Sequence, residues 1–134
     1  MFQAIYTSQA QDRLDDKEFK RIAEHAEIYN TKNDITGLLL VFKGQIIQIL
    51  EGDEGRVRNL LSRIEHDDRH KDFLLVLDRQ GQSRQFGQWS LFFKLVRSPM
   101  ETVYFELIQR QLKHVSPHAE HMVLQALTKS YRAL

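Results

Sequence analysis

Cysteine is absent from the 134 residues, so disulfides, thiolate nucleophiles and thiolate metal sites are excluded. An excess of charge of one sign is missing too. Nineteen Lys and Arg against 18 Asp and Glu leave a net charge of +1, which gives no electrostatic case for nucleic acid or an anionic membrane. No apolar run approaches the roughly 20 residues of a membrane span. The opening MFQAIYTSQAQD lacks the apolar core of a signal peptide. A cytoplasmic location is therefore the expectation. Proline occurs only as Pro99 and Pro117, each behind a serine, and each reads as a helix start. What is present, 42% apolar and 28% charged residues, suits one domain that buries about two thirds of its unfolded surface.

The most informative stretch is DITGLLLVFKGQIIQILEG, Asp34 to Gly52. Two apolar runs, Ile35–Phe42 and Ile46–Leu50, flank Lys43-Gly44. Leu38 to Phe42 has no polar face, as in a strand covered on both sides. Gly44 supplies the permissive backbone of a tight hairpin turn. Gln48 interrupts the second run. Taken from this strand alone, Gln48 either faces solvent or is buried with partners, because an unpaired buried amide costs roughly 1–3 kcal/mol.

Before the hairpin, Phe2, Ala4 and Tyr6 alternate with Gln3, Ile5 and Thr7, as in a strand. Asp15 and Glu18 form a capping box, and Phe19, Ile22, Ala23, Ala26 and Tyr29 follow at helical spacing, which predicts a helix ending near Asn30. After the hairpin, Asp53 caps a second helix with Val57, Leu60, Leu61 and Ile64 inward. His66 to Lys71 reads as a charged loop, Phe73–Leu77 as a buried strand, and Phe86 to Val96 as a last, aromatic strand. Ser98-Pro99-Met100-Glu101 and Ser116-Pro117 then start two amphipathic helices. The order β-α-β-β-α-β-β-α-α is α+β and ferredoxin-like, with two helices on one face of the sheet. The two C-terminal helices are expected to cover the other face. His114, His118 and His121 have helical metal-ligand spacing, but Pro117 divides them and no carboxylate completes a set, so they read as a solvated face.

Tyr6 and Gln48 are polar positions on apolar strands, and the first and third strands of a ferredoxin-like sheet are neighbours. The two side chains could bond beneath the helices, with Asn30 reaching in from above. Such a triad could hold a planar heteroaromatic ligand by its polar edge. Over about Met1 to Leu95 the chain resembles the BLUF family of blue-light sensors using FAD. The resemblance is carried by IYTSQA, NTKNDITGLLLVFKGQIIQILEG, IEHDDRH and FGQWSL, and by the separations between Tyr6, Asn30, Gln48 and Trp89.

The resemblance implies a noncovalently bound FAD, with FMN or riboflavin as substitutes, lying between the two N-terminal helices. It implies that Tyr6 is the photochemical electron donor and that Gln48 is the amide between that tyrosine and the flavin. Light-driven electron and proton transfer would leave the amide rearranged, with a small red shift. The resemblance further places Asn30 at the isoalloxazine edge, Trp89 near the ring, and Arg63 and Asp67 toward the ribityl and phosphate part; Ser8 matches the family's serine after the tyrosine and counts, with Leu91, among the cofactor-binding positions. The family usually has Trp-Ser-Met where this chain has Trp89-Ser90-Leu91. Leucine matches methionine in volume but lacks its thioether. The glutamine's resting pose and the dark recovery rate are the properties this change affects.

The resulting expectations are a flavin-binding domain at 1–97, a helical extension at 98–134 that forms the output surface, and no catalytic turnover. They also include no metal, a homo-oligomer, and an effector protein on a separate chain. The competing class is a flavin-free ferredoxin-like module that binds another ligand or a protein. An acylphosphatase-like enzyme is more distant, since Arg13 is a poor phosphate cradle. The colour of the purified protein separates these classes.

Overall fold

A computed structural model of the chain describes residues 1–80, 83–84, 86–87 and 90–95. Seven elements follow in order: β1 (Phe2–Ala10), α1 (Asp16–Lys32), β2 (Thr36–Phe42), β3 (Gln45–Gly52), α2 (Glu54–Glu65), β4 (His70–Arg79) and β5 (Phe92–Leu95). The strands form one sheet in the order β4-β1-β3-β2-β5. All neighbours are antiparallel except β2 and β5, which run parallel. This is the ferredoxin-like arrangement with a fifth strand added beside β2.

The local chemistry accounts for the elements. Asp15 caps α1 by accepting from the Glu18 N–H, and Asp53 caps α2 by accepting from the Arg56 N–H. Between β2 and β3, Phe42 pairs with Gln45, so the hairpin loop is Lys43-Gly44 alone. Both residues have positive φ, 50° and 81°, as a two-residue turn matched to strand twist requires. The first helix runs two residues past Asn30, because the Asn33 N–H still finds the carbonyls of Tyr29 and Asn30.

The sheet is buried on both faces. Phe2, Ala4, Tyr6 and Leu50 pack with Val57 and Leu61 of α2 on one side. Ile5, Leu38, Leu40, Phe42, Ile47, Ile49 and Phe86 form a second cluster on the other. This two-sided burial explains the unbroken apolar run of β2.

Three expectations need correction. The strand containing Phe73–Leu77 begins at His70, so two residues of the charged segment belong to it. It is also an edge strand, with Leu74 43% and Leu75 38% exposed, and not a buried one. The last strand begins at Phe92 and not at Phe86. The Phe86 N–H bonds to the Glu51 carboxylate and the Ser90 carbonyl accepts from the Asn30 amide, so side chains take the place of a strand partner there. The two expected C-terminal helices, and the extension at 98–134, lie outside the described residues.

Candidate functional site

Strand register brings the centre of the site together. Tyr6 of β1 stands directly opposite Gln48 of β3, on the face covered by the helices. Both are 4% exposed. The Tyr6 hydroxyl donates a short hydrogen bond to Gln48 Oε1. Of the two readings of Gln48, the buried and partnered one is correct. Among the described residues nothing accepts from Gln48 Nε2, and the side chain borders a cavity of about 240 Å³.

The same cavity is lined by Asn30, Arg63 and Asp67. Asn30 lies on the inward row of α1 with Phe19 and Ala23, and is 1% exposed. Its Nδ2 donates to the Ser90 carbonyl at 2.8 Å, and its Oδ1 has no partner. An orphaned buried acceptor costs free energy unless a ligand or water satisfies it. The Arg63 guanidinium lies 4.7 Å from the Tyr29 ring centroid. Asp67 accepts two bonds from Arg69 Nε, at 2.9 and 3.1 Å, and one from Arg69 Nη2 at 2.5 Å. Those bonds hold its carboxyl below the usual carboxylate range.

Other expected positions stand apart. Ser8 is buried but does not line the cavity. Its hydroxyl meets His70 Nδ1 at 2.8 Å, while His70 Nε2 donates to the Ile64 carbonyl at 2.5 Å. That carbonyl can only accept, so Nε2 carries a proton. Leu91 packs with Ala23 and Leu39, and Leu39 is the β2 register partner of Gln48. Trp89 lies outside the described residues. Arg69, His70 and His25 line the cavity without having been singled out. Arg69 and His70 belong to the segment IEHDDRH, but their direction depends on the turn after α2 and on the pairing of His70 with Ala10.

Burial, and after it the negative charge of Asp67, push the Tyr6 phenol far above the ordinary tyrosine range. Tyr6 is therefore held as a neutral donor. Because the folded value exceeds the unfolded one, its contribution to stability is intact at neutral pH and declines only above about pH 10. An alkaline absorbance titration of the protein and of Tyr6→Phe checks this. The two proteins are expected to show equal tyrosinate at about pH 10. A deficit of about half a tyrosinate in the variant at that pH, the amount an unshifted tyrosine would contribute at its pKa, would contradict the shift.

No group of three or more metal-ligating side chains exists among the described residues. No described helix is long and apolar enough to cross a membrane. The arrangement is an aromatic-backed cavity with a phenol–amide pair on its floor. The residue with the unmet acceptor, Asn30, lines the same cavity, as do the cationic side chains Arg63 and Arg69.

The family model described as sensors of blue-light using FAD matches residues 1–92. The photoactivated adenylate cyclase subunit alpha of Euglena gracilis is 35% identical over 82 residues, which are 61% of this chain and 8% of that protein. The blue light- and temperature-regulated antirepressor BluF of Escherichia coli is 34% identical over 87 residues, 63% of this chain and 21% of that protein. The chain thus spans about a fifth or less of these curated relatives. In fold, it superposes on the dark-state structure of the BLUF protein BlrB with a TM-score of 0.72. That match covers 96% of both chains at 20% identity. By the family match over residues 1–92, the chain belongs to the BLUF family of blue-light sensors using FAD.

Proposed function

We propose that this chain is a blue-light switch that binds FAD noncovalently and signals by rearranging the Tyr6–Gln48 hydrogen bond. The observation that carries the proposal is that bond, buried on the floor of a cavity which also holds the orphaned Asn30 Oδ1. The residues fit the group. Asn30 Oδ1 can accept from the imide edge of a flavin, Gln48 Nε2 can donate to it, and Arg63 and Arg69 can meet the anionic part. The cavity is just below the roughly 300–1,000 Å³ of pockets that enclose whole ligands, so it suits the ring portion.

Bound flavin supplies a blue-light absorber that becomes a strong one-electron oxidant when excited. Tyr6 is the electron donor. Loss of an electron makes its phenol strongly acidic, and the hydrogen-bonded acceptor of that proton is Gln48 Oε1. The amide then changes its partners by rotation, tautomerism or both. Return of the electron and proton restores Tyr6. Burial keeps water from short-circuiting the transfer, and the raised phenol pKa keeps the resting proton on Tyr6. Nothing is turned over, so the chain acts as a sensor and not as an enzyme.

The output is proposed to act on an effector protein, as the names of the cyclase and antirepressor relatives suggest. Residues 98–134 are proposed to form its surface, with 1–97 as the flavin-binding domain. Leu91 lies on the route from Gln48 through Leu39.

Purified protein is expected to be yellow and to release FAD, or FMN or riboflavin, on denaturation. Asn30→Ala removes the Oδ1 acceptor and should weaken flavin binding about 10- to 100-fold. A colourless protein that takes up no added flavin would overturn the proposal. Leu91→Met restores a thioether beside Leu39 and should change the dark recovery rate while leaving flavin bound. Recovery equal to the parent's would make position 91 a packing position only.

A further inference from the structure

The sheet face opposite the cavity carries a polar row whose two middle members are buried. Strand register sets Arg79 of β4, Gln3 of β1, Glu51 of β3 and Thr36 of β2 side by side across four strands. The row is hydrogen-bonded along its length. Arg79 Nε donates to Gln3 Oε1 at 3.1 Å, and Gln3 Nε2 donates to Glu51 Oε2 at 3.4 Å. From the other side, Thr36 Oγ1 donates to Glu51 Oε1 at 3.0 Å and accepts from Arg84 Nη1 at 2.9 Å. Every donor chain therefore ends on Glu51, which is 1% exposed; Gln3 is fully buried. Neutral relays link the carboxylate to a cation at each end.

A bond outside the sheet shows what this row could do. The Phe86 backbone N–H, also buried, donates to Glu51 Oε1 at 2.9 Å. Arg84 is held as well, donating to the Asp34 carbonyl at 2.8 Å and pairing with its carboxylate at 3.0 Å. Phe86 stands at the head of the segment that ends in Leu91. The tail of that segment is held from α1, by Asn30 Nδ2 to the Ser90 carbonyl and Thr31 Oγ1 to the Ser90 hydroxyl, both 2.8 Å. One end is thus clamped by a cavity residue and the other by a buried carboxylate three residues along β3 from Gln48.

We propose that Glu51 is a positioning residue of the switch: by holding Phe86 it sets the position of Leu91 against Leu39, the register partner of Gln48, and so sets how fast the light-adapted state decays. The inference rests on the proposed flavin switch. Glu51 touches neither the cavity nor Tyr6; it acts through the segment. The row also has a polarity, since Gln3 must accept from Arg79 and donate to Glu51 at once. Glu51→Gln keeps an acceptor for Phe86, whereas Glu51→Leu has a similar volume and no acceptor.

The experiment compares the flavin-loaded parent, Glu51→Gln, Glu51→Leu and Thr36→Val. It reads dark recovery after blue light and amide exchange of the peptide containing Phe86. Glu51→Leu should retain flavin, recover at a rate changed about fivefold or more, and exchange the Phe86 amide about tenfold faster. Glu51→Gln should stay within about twofold of the parent on both readings, because it keeps the acceptor. A flavin-loaded Glu51→Leu that matches the parent on both readings overturns the inference. If Glu51→Leu does not fold, Thr36→Val decides, since it cuts the relay to Arg84 at a half-buried position. Its recovery should change about threefold, and parental recovery and exchange would overturn the inference. A parent with no light-induced shift overturns the flavin switch and this inference together. A normally switching parent with unaffected variants overturns this inference alone.

Discussion

Tyr6→Phe is expected to hold flavin and to lose the light-induced red shift entirely. The substitution keeps the ring, and with it the stacking on Phe73 at 4.9 Å between centroids. It removes the hydroxyl that donates to Gln48 Oε1. The amide oxygen is then buried without that donor, at a cost of about 1–3 kcal/mol, which a packed domain can bear. Loss of the hydroxyl removes the proton that the proposed switch transfers, so on that proposal no rearranged amide state can form. Gln48→Leu tests the same bond from its acceptor side and should also abolish the shift with flavin still bound. The measurement is the light-minus-dark spectrum of each flavin-loaded variant. A parental red shift in Tyr6→Phe would contradict the role given to this hydroxyl.

Gly37→Ala is expected to have the largest effect on stability. Gly37 lies in β2 opposite Leu50 of β3. A Cβ there would stand 2.0 Å from the Ile49 carbonyl oxygen and 3.1 Å from its carbonyl carbon, both backbone atoms. A side chain can rotate away from a methyl group, but a ladder carbonyl cannot move without breaking the pairing of β2 with β3. That pairing carries the Leu39–Gln48 register on which the site depends. The expected loss is about 3 kcal/mol or more, at the upper end for a single added methyl group. Urea unfolding of both proteins measures it. A midpoint within error of the parent's would mean that the two strands part more easily than their backbone contacts indicate.

The hairpin and both helices were legible from local signals that the structure repeats: Asp15 and Asp53 as caps, Lys43-Gly44 as a two-residue turn, and the apolar rows of α1 and α2. Strand order and register were less accessible. On its own strand Gln48 read more readily as solvent-facing; only the neighbouring of the first and third strands put it beside Tyr6 beneath the helices, where the register sets it. Phe73–Leu77 looks like a core strand by composition. Its place at the sheet edge leaves Leu74 and Leu75 exposed, and edge position is a property of topology and not of the segment. The stretch after Phe86 is aromatic enough to pass for a strand, yet Glu51 and Asn30 supply partners for its backbone at either end. His70 and Arg69 were hidden because nothing local to IEHDDRH reveals which of its side chains turn toward Tyr6. The row from Arg79 to Arg84 was hidden for a similar reason, since it exists only once four strands are in register.

On the proposal above, the Tyr6–Gln48 pair is a light-operated switch in a flavin cavity. That role is tested most directly by the absorption spectrum of the purified protein in the dark, after blue light, and again after return to darkness. Flavin bands should shift slightly to the red on illumination and return fully in the dark, with no loss of flavin. A protein that binds flavin but whose bands bleach or stay fixed under blue light would contradict the switch. One that never takes up flavin would contradict the cavity's assignment as well.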